Sequence, residues 1–170
     1  MSMIIDGTNG LTFNNSTTQA SAGSVLQVVQ GSYSTYTTTA STSLSSTGLT
    51  ASITPKFSTS KILVLVNPNM AIAYGTAAIA SLQLQITRGA TQILYQDRAI
   101  AINAGTGGGG VIYSAVSLGL SVLDSPATTS ATTYTLNFAV ANASMSARIN
   151  DYNSTTSTNG STITLMEIAA

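Results

Sequence analysis

The sequence predicts an all-β protein, an antiparallel sandwich of the jelly-roll type, on three observations. Apolar residues alternate with Thr, Ser and Gln over many short segments, the pattern of strands with one buried face. Those segments recur at regular spacing, with Gly, Pro, Asn, Asp and Ser between them. No stretch combines a helical period with capping residues. About eight to ten strands in one domain fit a two-layered jelly roll. A chain of 170 residues is long enough to bury a proper core without staples.

Residues 1–23 stand apart from the rest. Ile4, Ile5, Leu11 and Phe13 are isolated among polar residues, and Asp6-Gly7 and Asn9-Gly10 are tight-turn dipeptides. Residues 4–13 therefore read as a small hairpin or hooked arm, and residues 14–23 as a polar linker. Four apolar side chains make no core, so the arm is expected to lie against a partner. The division is a docking arm and linker over residues 1–23 and a jelly-roll domain over residues 24–170.

Within the domain, residues 25–30 are strand-like, and residues 33–39 are rich in the Thr and Tyr that suit a pleated surface. Residues 49–53 end at Thr54-Pro55, where proline stops a ladder. Residues 61–66 form the most apolar segment, with Ile62, Val64 and Val66 on one face and Leu63 and Leu65 on the other. One face belongs to the core, and Leu63 and Leu65 become candidates for a subunit interface. Residues 81–87 place Leu82, Leu84 and Ile86 inward, the chain turns at Arg88-Gly89-Ala90-Thr91, and residues 92–97 return. Residues 111–123 alternate through Ile112, Val116, Leu118, Leu120 and Val122. Residues 133–140 put Tyr134, Leu136, Phe138 and Val140 on one face, and residues 144–149 and 161–168 complete the set.

Composition excludes most chemistry. Histidine and cysteine are absent, and charged residues make up 6% of the chain. There is no imidazole for proton transfer near neutral pH, no thiolate nucleophile, no disulfide and no soft metal ligand. Asp6, Asp97, Asp124, Asp151 and Glu167 are scattered, too sparse for a calcium loop. Residues 105–110, rich in glycine, lack the Lys and Ser/Thr ending of a phosphate cradle and open no helix. A Ser–Lys pair around Lys56, Lys61, Ser58 and Ser60 has no further support. The expectation is no catalytic, cofactor-binding or metal-binding residue and no cofactor.

The five basic residues form no cluster, so nucleic-acid binding has no electrostatic footprint. The longest strictly apolar run, residues 62–66, is far too short for membrane insertion as a helix. A net charge of zero with few charges favours association, so much of the surface is expected to be covered by other chains. No secretion signal is visible, although the composition looks extracellular. A component of a virion exterior, made in the host cytoplasm, reconciles the two. Tyr74 and Tyr152 neighbour loops and are the candidates for receptor contact.

Several segments resemble a jelly-roll module of bacteriophage fibre and other virion surface proteins, akin to tumour necrosis factor. They are Val25-Leu26-Gln27-Val28-Val29-Gln30 with Tyr33-Ser34-Thr35, Thr47-Gly48-Leu49-Thr50-Ala51-Ser52-Ile53-Thr54-Pro55, and Ser58-Thr59-Ser60-Lys61-Ile62-Leu63-Val64. Leu84-Gln85-Ile86-Thr87-Arg88-Gly89 and the closing Ser161-Thr162-Ile163-Thr164-Leu165-Met166-Glu167-Ile168 add to them. The most specific is Leu123-Asp124-Ser125-Pro126-Ala127-Thr128-Thr129 with Ala131-Thr132-Thr133-Tyr134. The resemblance spans residues 24–168 and implies a homotrimer on the outside of a virion. The family module often caps a fibre shaft. Only a short arm precedes it here, which favours capsid decoration (a cement protein) or a stubby head fibre. The expected partner is then a phage major capsid protein or tail component. The alternatives are a tail-fibre tip reading a host surface glycan, and a surface-polysaccharide hydrolase using two carboxylates.

Overall fold

A computed structural model describes residues 24–74, 79–103, 112–150 and 160–169. For Ile79, Ile102, Asn103 and Ile112, and for three short strands before residue 24, it describes the backbone alone. The strands are β1 (Ile4–Asp6), β2 (Gly10–Thr12), β3 (Thr18–Gln19), β4 (Val25–Tyr33), β5 (Thr37–Thr39), β6 (Ser45–Ile53), β7 (Lys61–Asn67) and β8 (Asn69–Tyr74). They continue with β9 (Ile79–Arg88), β10 (Thr91–Asn103), β11 (Ile112–Ser117), β12 (Leu120–Asp124), β13 (Thr132–Val140), β14 (Met145–Ile149) and β15 (Ser161–Ile168). The described residues contain no helix, and the protein is all-β.

The expected hairpin is present: β1 pairs antiparallel with β2, Ile5 opposite Leu11. The segment expected to be linker contributes β3, which adds to β2 as a third strand. The remaining strands form three antiparallel sheets of four, in the orders β10-β9-β13-β6, β11-β8-β14-β5 and β12-β7-β15-β4. The last two sheets are halves of one long layer. β7 passes into β8 through Pro68, β11 into β12 through Leu118 and Gly119, and β4 into β5 through residues 34–36. β14 and β15 occupy the fourth lane.

A polar seam marks where the lanes are interrupted. Pro68 has no N–H to give a ladder, and its carbonyl instead accepts the Leu118 amide at 3.2 Å. Asn150 is fully buried with φ +64°, a left-handed conformation that asparagine tolerates better than most residues. Its Nδ2 donates to the carbonyls of Tyr33 and Thr35 at 2.8 and 3.1 Å. Its Oδ1 accepts Ser161 Oγ at 2.6 Å, and its amide reaches Asn69 O at 2.9 Å. Ser161 Oγ in turn accepts the Asn69 amide at 2.9 Å, and Asn69 Oδ1 accepts Ser117 Oγ at 2.7 Å. All four lanes are thus tied at one level, and the buried polar atoms of Asn150 find partners.

The core lies between the long layer and the β10-β9-β13-β6 sheet. One apolar cluster joins Leu49 and Ile53 of β6, Ile62, Val64 and Val66 of β7, Leu82, Leu84 and Ile86 of β9, Tyr134, Leu136 and Phe138 of β13, and Ile163 and Leu165 of β15. The inward faces read from β7, β9 and β13 are therefore observed. At one edge the layers approach so closely that a Cβ on Gly31 would meet the Thr50 carbonyl oxygen. Gly48, at φ +93°, lies under the Tyr33 ring.

Three strand expectations are corrected. Residues 111–123 are two strands, because Gly119 interrupts them at the seam, and Val116 is 37% exposed. Residues 33–39 are likewise divided, and Tyr33 closes β4. Strand β10 runs on to Asn103 through two register shifts, with Arg98 at φ +54° between its regular stretches. Strand β8, whose Ala-rich sequence hides its alternation, had no counterpart in the sequence reading.

Candidate assembly surface

Strand pairing turns single outward residues into rows. On the outer face of the β12-β7-β15-β4 half, Leu123 lies opposite Leu63, Leu63 opposite Met166, and Met166 opposite Val28. An uninterrupted apolar row therefore crosses all four strands. The next row, Ser121, Leu65, Thr164 and Gln30, is mostly polar. Leu63 and Leu65, chosen from sequence as interface candidates, are half-buried and sit centrally in these rows. Leu123 and Val28, at the ends of the first row, are 51% and 54% exposed. Val25 is 50% exposed where β4 begins, and Phe57 is 56% exposed on the loop before β7. Four of the six exposed large apolar side chains among the described residues gather at this end of one layer.

Beyond the seam the same face changes character. Ala71 and Ala73 of β8 point outward yet are 0% and 5% exposed, because larger groups lie across them. Arg148, opposite Ala71, has its guanidinium carbon 4.9 Å from the centre of the Tyr113 ring and 5.8 Å from that of Tyr36. Both distances are within cation–π range.

The outer face of the opposite sheet is a polar ladder. Gln85 Nε2 donates to Gln92 Oε1 at 2.7 Å, and Asn137 Nδ2 donates to Thr87 Oγ1 at 3.1 Å. Ser52 and Thr133 hydroxyls meet at 2.7 Å, and Gln83 donates to Asp97 at 3.2 Å. Such a face is content in water, whereas the Leu63 row is not.

Two further charged groups, Arg88 and Asp124, serve the fold. Arg88 pairs with Asp124 at 2.9 Å, and the same carboxylate oxygen accepts Tyr134 OH at 2.8 Å. Burial first, and the Asp124 carboxylate second, push the Tyr134 phenol well above its ordinary pKa. Gly89, whose amide reaches Thr133 O, and Arg88 line a depression of about 430 Å³ with Pro126 and Thr128. Among the described residues no three His, Cys, Asp or Glu side chains gather as a metal site would require.

Tyr74, singled out for receptor contact, is 3% exposed and belongs to the core cluster, with part of its surface lining a depression of about 310 Å³ beside Tyr113 and Arg148. That placement corrects the expectation of an exposed ring: its neighbourhood to a loop in sequence does not bring it to the surface. Tyr152 and Phe13 lie outside the described residues. Ile4, Ile5 and Leu11 lie in β1 and β2, described by backbone only. The sequence reading missed Val28, Met166, Leu123 and Phe57. The signal for the first three was the register, which no strand contains by itself.

No family model matches the chain, and no curated protein matches it. Solved structures of infectious bursal disease virus do. The VP2 subviral particle gives a TM-score of 0.39 at 10% identity over 86% of this chain. The Gx strain gives 0.35 at 10% identity over 99%, and the T13 viral particle 0.34 at 10% over 85%. This chain spans 38%, 44% and 38% of the length of those three chains.

Proposed function

We propose that this protein is a non-enzymatic structural component of a phage virion, a jelly roll that self-associates as a homotrimer and decorates or cements the particle exterior. The observation that carries the reading is the apolar row Leu123, Leu63, Met166 and Val28 on the outer face of a chain with zero net charge. An exposed apolar patch of this continuity marks an interaction site. Four strands about 4.8 Å apart, rising about 3.3 Å per residue over the seven residues of β7, give that half of the face roughly 450 Å².

The strand orders support the jelly roll. With each interrupted lane counted once, the layers are β4/β5, β14/β15, β7/β8, β11/β12 and β6, β13, β9, β10. Apart from the β9–β10 hairpin, neighbours in each layer are distant in sequence and successive strands alternate between layers, the order of a jelly roll. Three copies is the number implied by the resemblance to phage surface modules. Absence of histidine and cysteine from the sequence supports a non-enzymatic role. The arm, with Ile4, Ile5, Leu11 and Phe13, is the proposed attachment to a capsid or tail protein.

Leu63→Asp and Leu65→Asp test the reading. Each places a charge in the proposed contact, where an unpaired buried charge costs several kcal/mol. Sedimentation should report a trimer for the unaltered protein and monomer for Leu63→Asp, with circular dichroism unchanged. A monomeric unaltered protein at micromolar concentration, or a trimer that survives both substitutions, overturns it.

A further inference from the structure

Histidine, cysteine and tryptophan are absent, so sulfur enters this chain only as its five methionines. A peroxide therefore finds its preferred target in a thioether. Of the described methionines, Met70 and Met145 belong to the core and are 1% and 2% exposed. Met166 is half-buried on the outer face of β15, in register with Leu63 on one side and Val28 on the other. The one described thioether open to solvent thus stands in the middle of the apolar row.

Its outward direction is fixed by its neighbours along the strand. Leu165, on one flank, is fully buried in the core. Glu167, on the other, is also fully buried. The Glu167 Oε1 accepts the backbone amides of Lys56 at 2.7 Å and Phe57 at 3.4 Å, and its Oε2 accepts Gln27 Nε2 at 2.6 Å. Burial raises the Glu167 carboxyl, and the bonds from Gln27 and the two amides outweigh it and hold it below its ordinary value. Alternation between two anchored inward residues turns the thioether out.

We propose that Met166 is an oxidation site that controls self-association: its thioether allows the row to seat on a second copy of this chain, and its sulfoxide prevents it. The inference rests on the reading of the Leu63 face as a subunit contact. The step is a two-electron oxygen transfer from hydrogen peroxide. The sulfur lone pair attacks one peroxide oxygen, an S–O bond forms and the O–O bond breaks. The proton on the transferred oxygen passes to the departing hydroxide, which leaves as water. Sulfur is oxidised and the peroxide reduced. The product sets a strongly polar oxygen between Leu63 and Val28, whose side chains carry no donor. A contact across the row would bury that acceptor unpaired, which is costly where burying a thioether is favourable. The sulfur is reachable in the separate chain and covered in the assembly, so oxidation acts before association and association protects against it.

The test uses the full chain treated with hydrogen peroxide, freed of it, mapped by peptide mass and sedimented at micromolar concentration. The peptide carrying Met166 should gain the mass of one oxygen before those carrying Met70 and Met145. The oxidised protein should show a trimer dissociation constant raised at least about tenfold, with unchanged circular dichroism. A methionine sulfoxide reductase should restore association, and its thiol reductant has no cysteine to act on in this chain. Met166→Leu, a change of nearly equal volume, should associate as the unaltered protein does and remain associated after peroxide. Undiminished association of chains oxidised at Met166, or dissociation of Met166→Leu by peroxide, refutes the inference. If Leu63→Asp dissociates the trimer and the Met166 sulfoxide does not, the face stands and the oxidation switch falls. If Leu63→Asp leaves the trimer intact, the face reading fails and the switch falls with it.

Discussion

Asn150 carries the heaviest demand on a single residue. It adopts a left-handed backbone and closes the seam with hydrogen bonds to Tyr33, Thr35 and Ser161. Asn150→Ala removes the amide, leaves buried partners unsatisfied and places a Cβ in a disfavoured conformation without local compensation. It should destabilise by roughly 2–4 kcal/mol in chemical denaturation, and Asn150→Gly by about 1 kcal/mol less, because glycine accepts that φ. Gly31 makes the opposite demand, for absence. Gly31→Ala would drive a methyl group into the Thr50 carbonyl oxygen, which is backbone and yields little. A loss of roughly 1–3 kcal/mol is expected, as for overpacking elsewhere, read as a lower denaturation midpoint at unchanged slope.

Glu167 links this scale to pH. A carboxyl whose pKa is lower in the folded state than in the unfolded chain contributes stability that is complete above the unfolded value. That contribution is lost as pH falls through the folded value. The melting temperature of the unaltered protein should therefore drop in acid. Glu167→Gln should flatten that share of the dependence, and an identical acid slope in the two proteins would contradict it.

At the scale of elements, β7 shows why one strand can be read two ways. Its burial alternates from Ile62 to Val66 as a half-buried strand does, yet its outward residues are leucines. Only when β12, β15 and β4 are laid beside it does Leu63 become the centre of a row. The amino-terminal strands pose a different question. Burying four apolar side chains contributes roughly 1.5–3 kcal/mol each, whereas ordering about twenty residues costs about 1–2 kcal/mol per residue. Under the proposed docking, the arm's apolar contacts alone would not hold it to a partner; backbone hydrogen bonds, and three arms acting together in the proposed trimer, would assist. Deletion of residues 1–23 is expected to leave a soluble, folded trimer that no longer attaches to particles. Truncated protein that decorates virions at full occupancy would place attachment in the jelly roll.

At the scale of the molecule, the two outer faces are chemically opposite. One is a self-satisfied ladder of amides and hydroxyls, and the other carries the apolar row beside an alanine bed under Arg148, Tyr36 and Tyr113. Contact through the apolar row with few charges depends weakly on ionic strength, since screening acts on charges. The sedimented mass should therefore be the same at low salt and at 1 M NaCl; dissociation in high salt would mean that charged groups hold the assembly.

The sequence by itself determined the class and the inward faces. Period-two alternation in β7, β9 and β13 follows from local backbone geometry, so Ile62, Leu84 and Leu136 could be placed in the core without knowing their neighbours. The hairpin of β1 and β2 was likewise legible, because its turn dipeptides act over a few residues. Composition bounded the chemistry for the same reason: a side chain that is absent can do nothing. Only the tertiary structure decided which outward residues meet. Register joins Leu123, Leu63, Met166 and Val28 from four distant segments, and no local signal encodes a partner some 60 to 140 residues away in the chain. It also decided that Tyr74 is buried and that Asn150 and Glu167 hold the chain at a seam and a loop. Those roles depend on long-range hydrogen bonds, which a sequence pattern of period two does not contain.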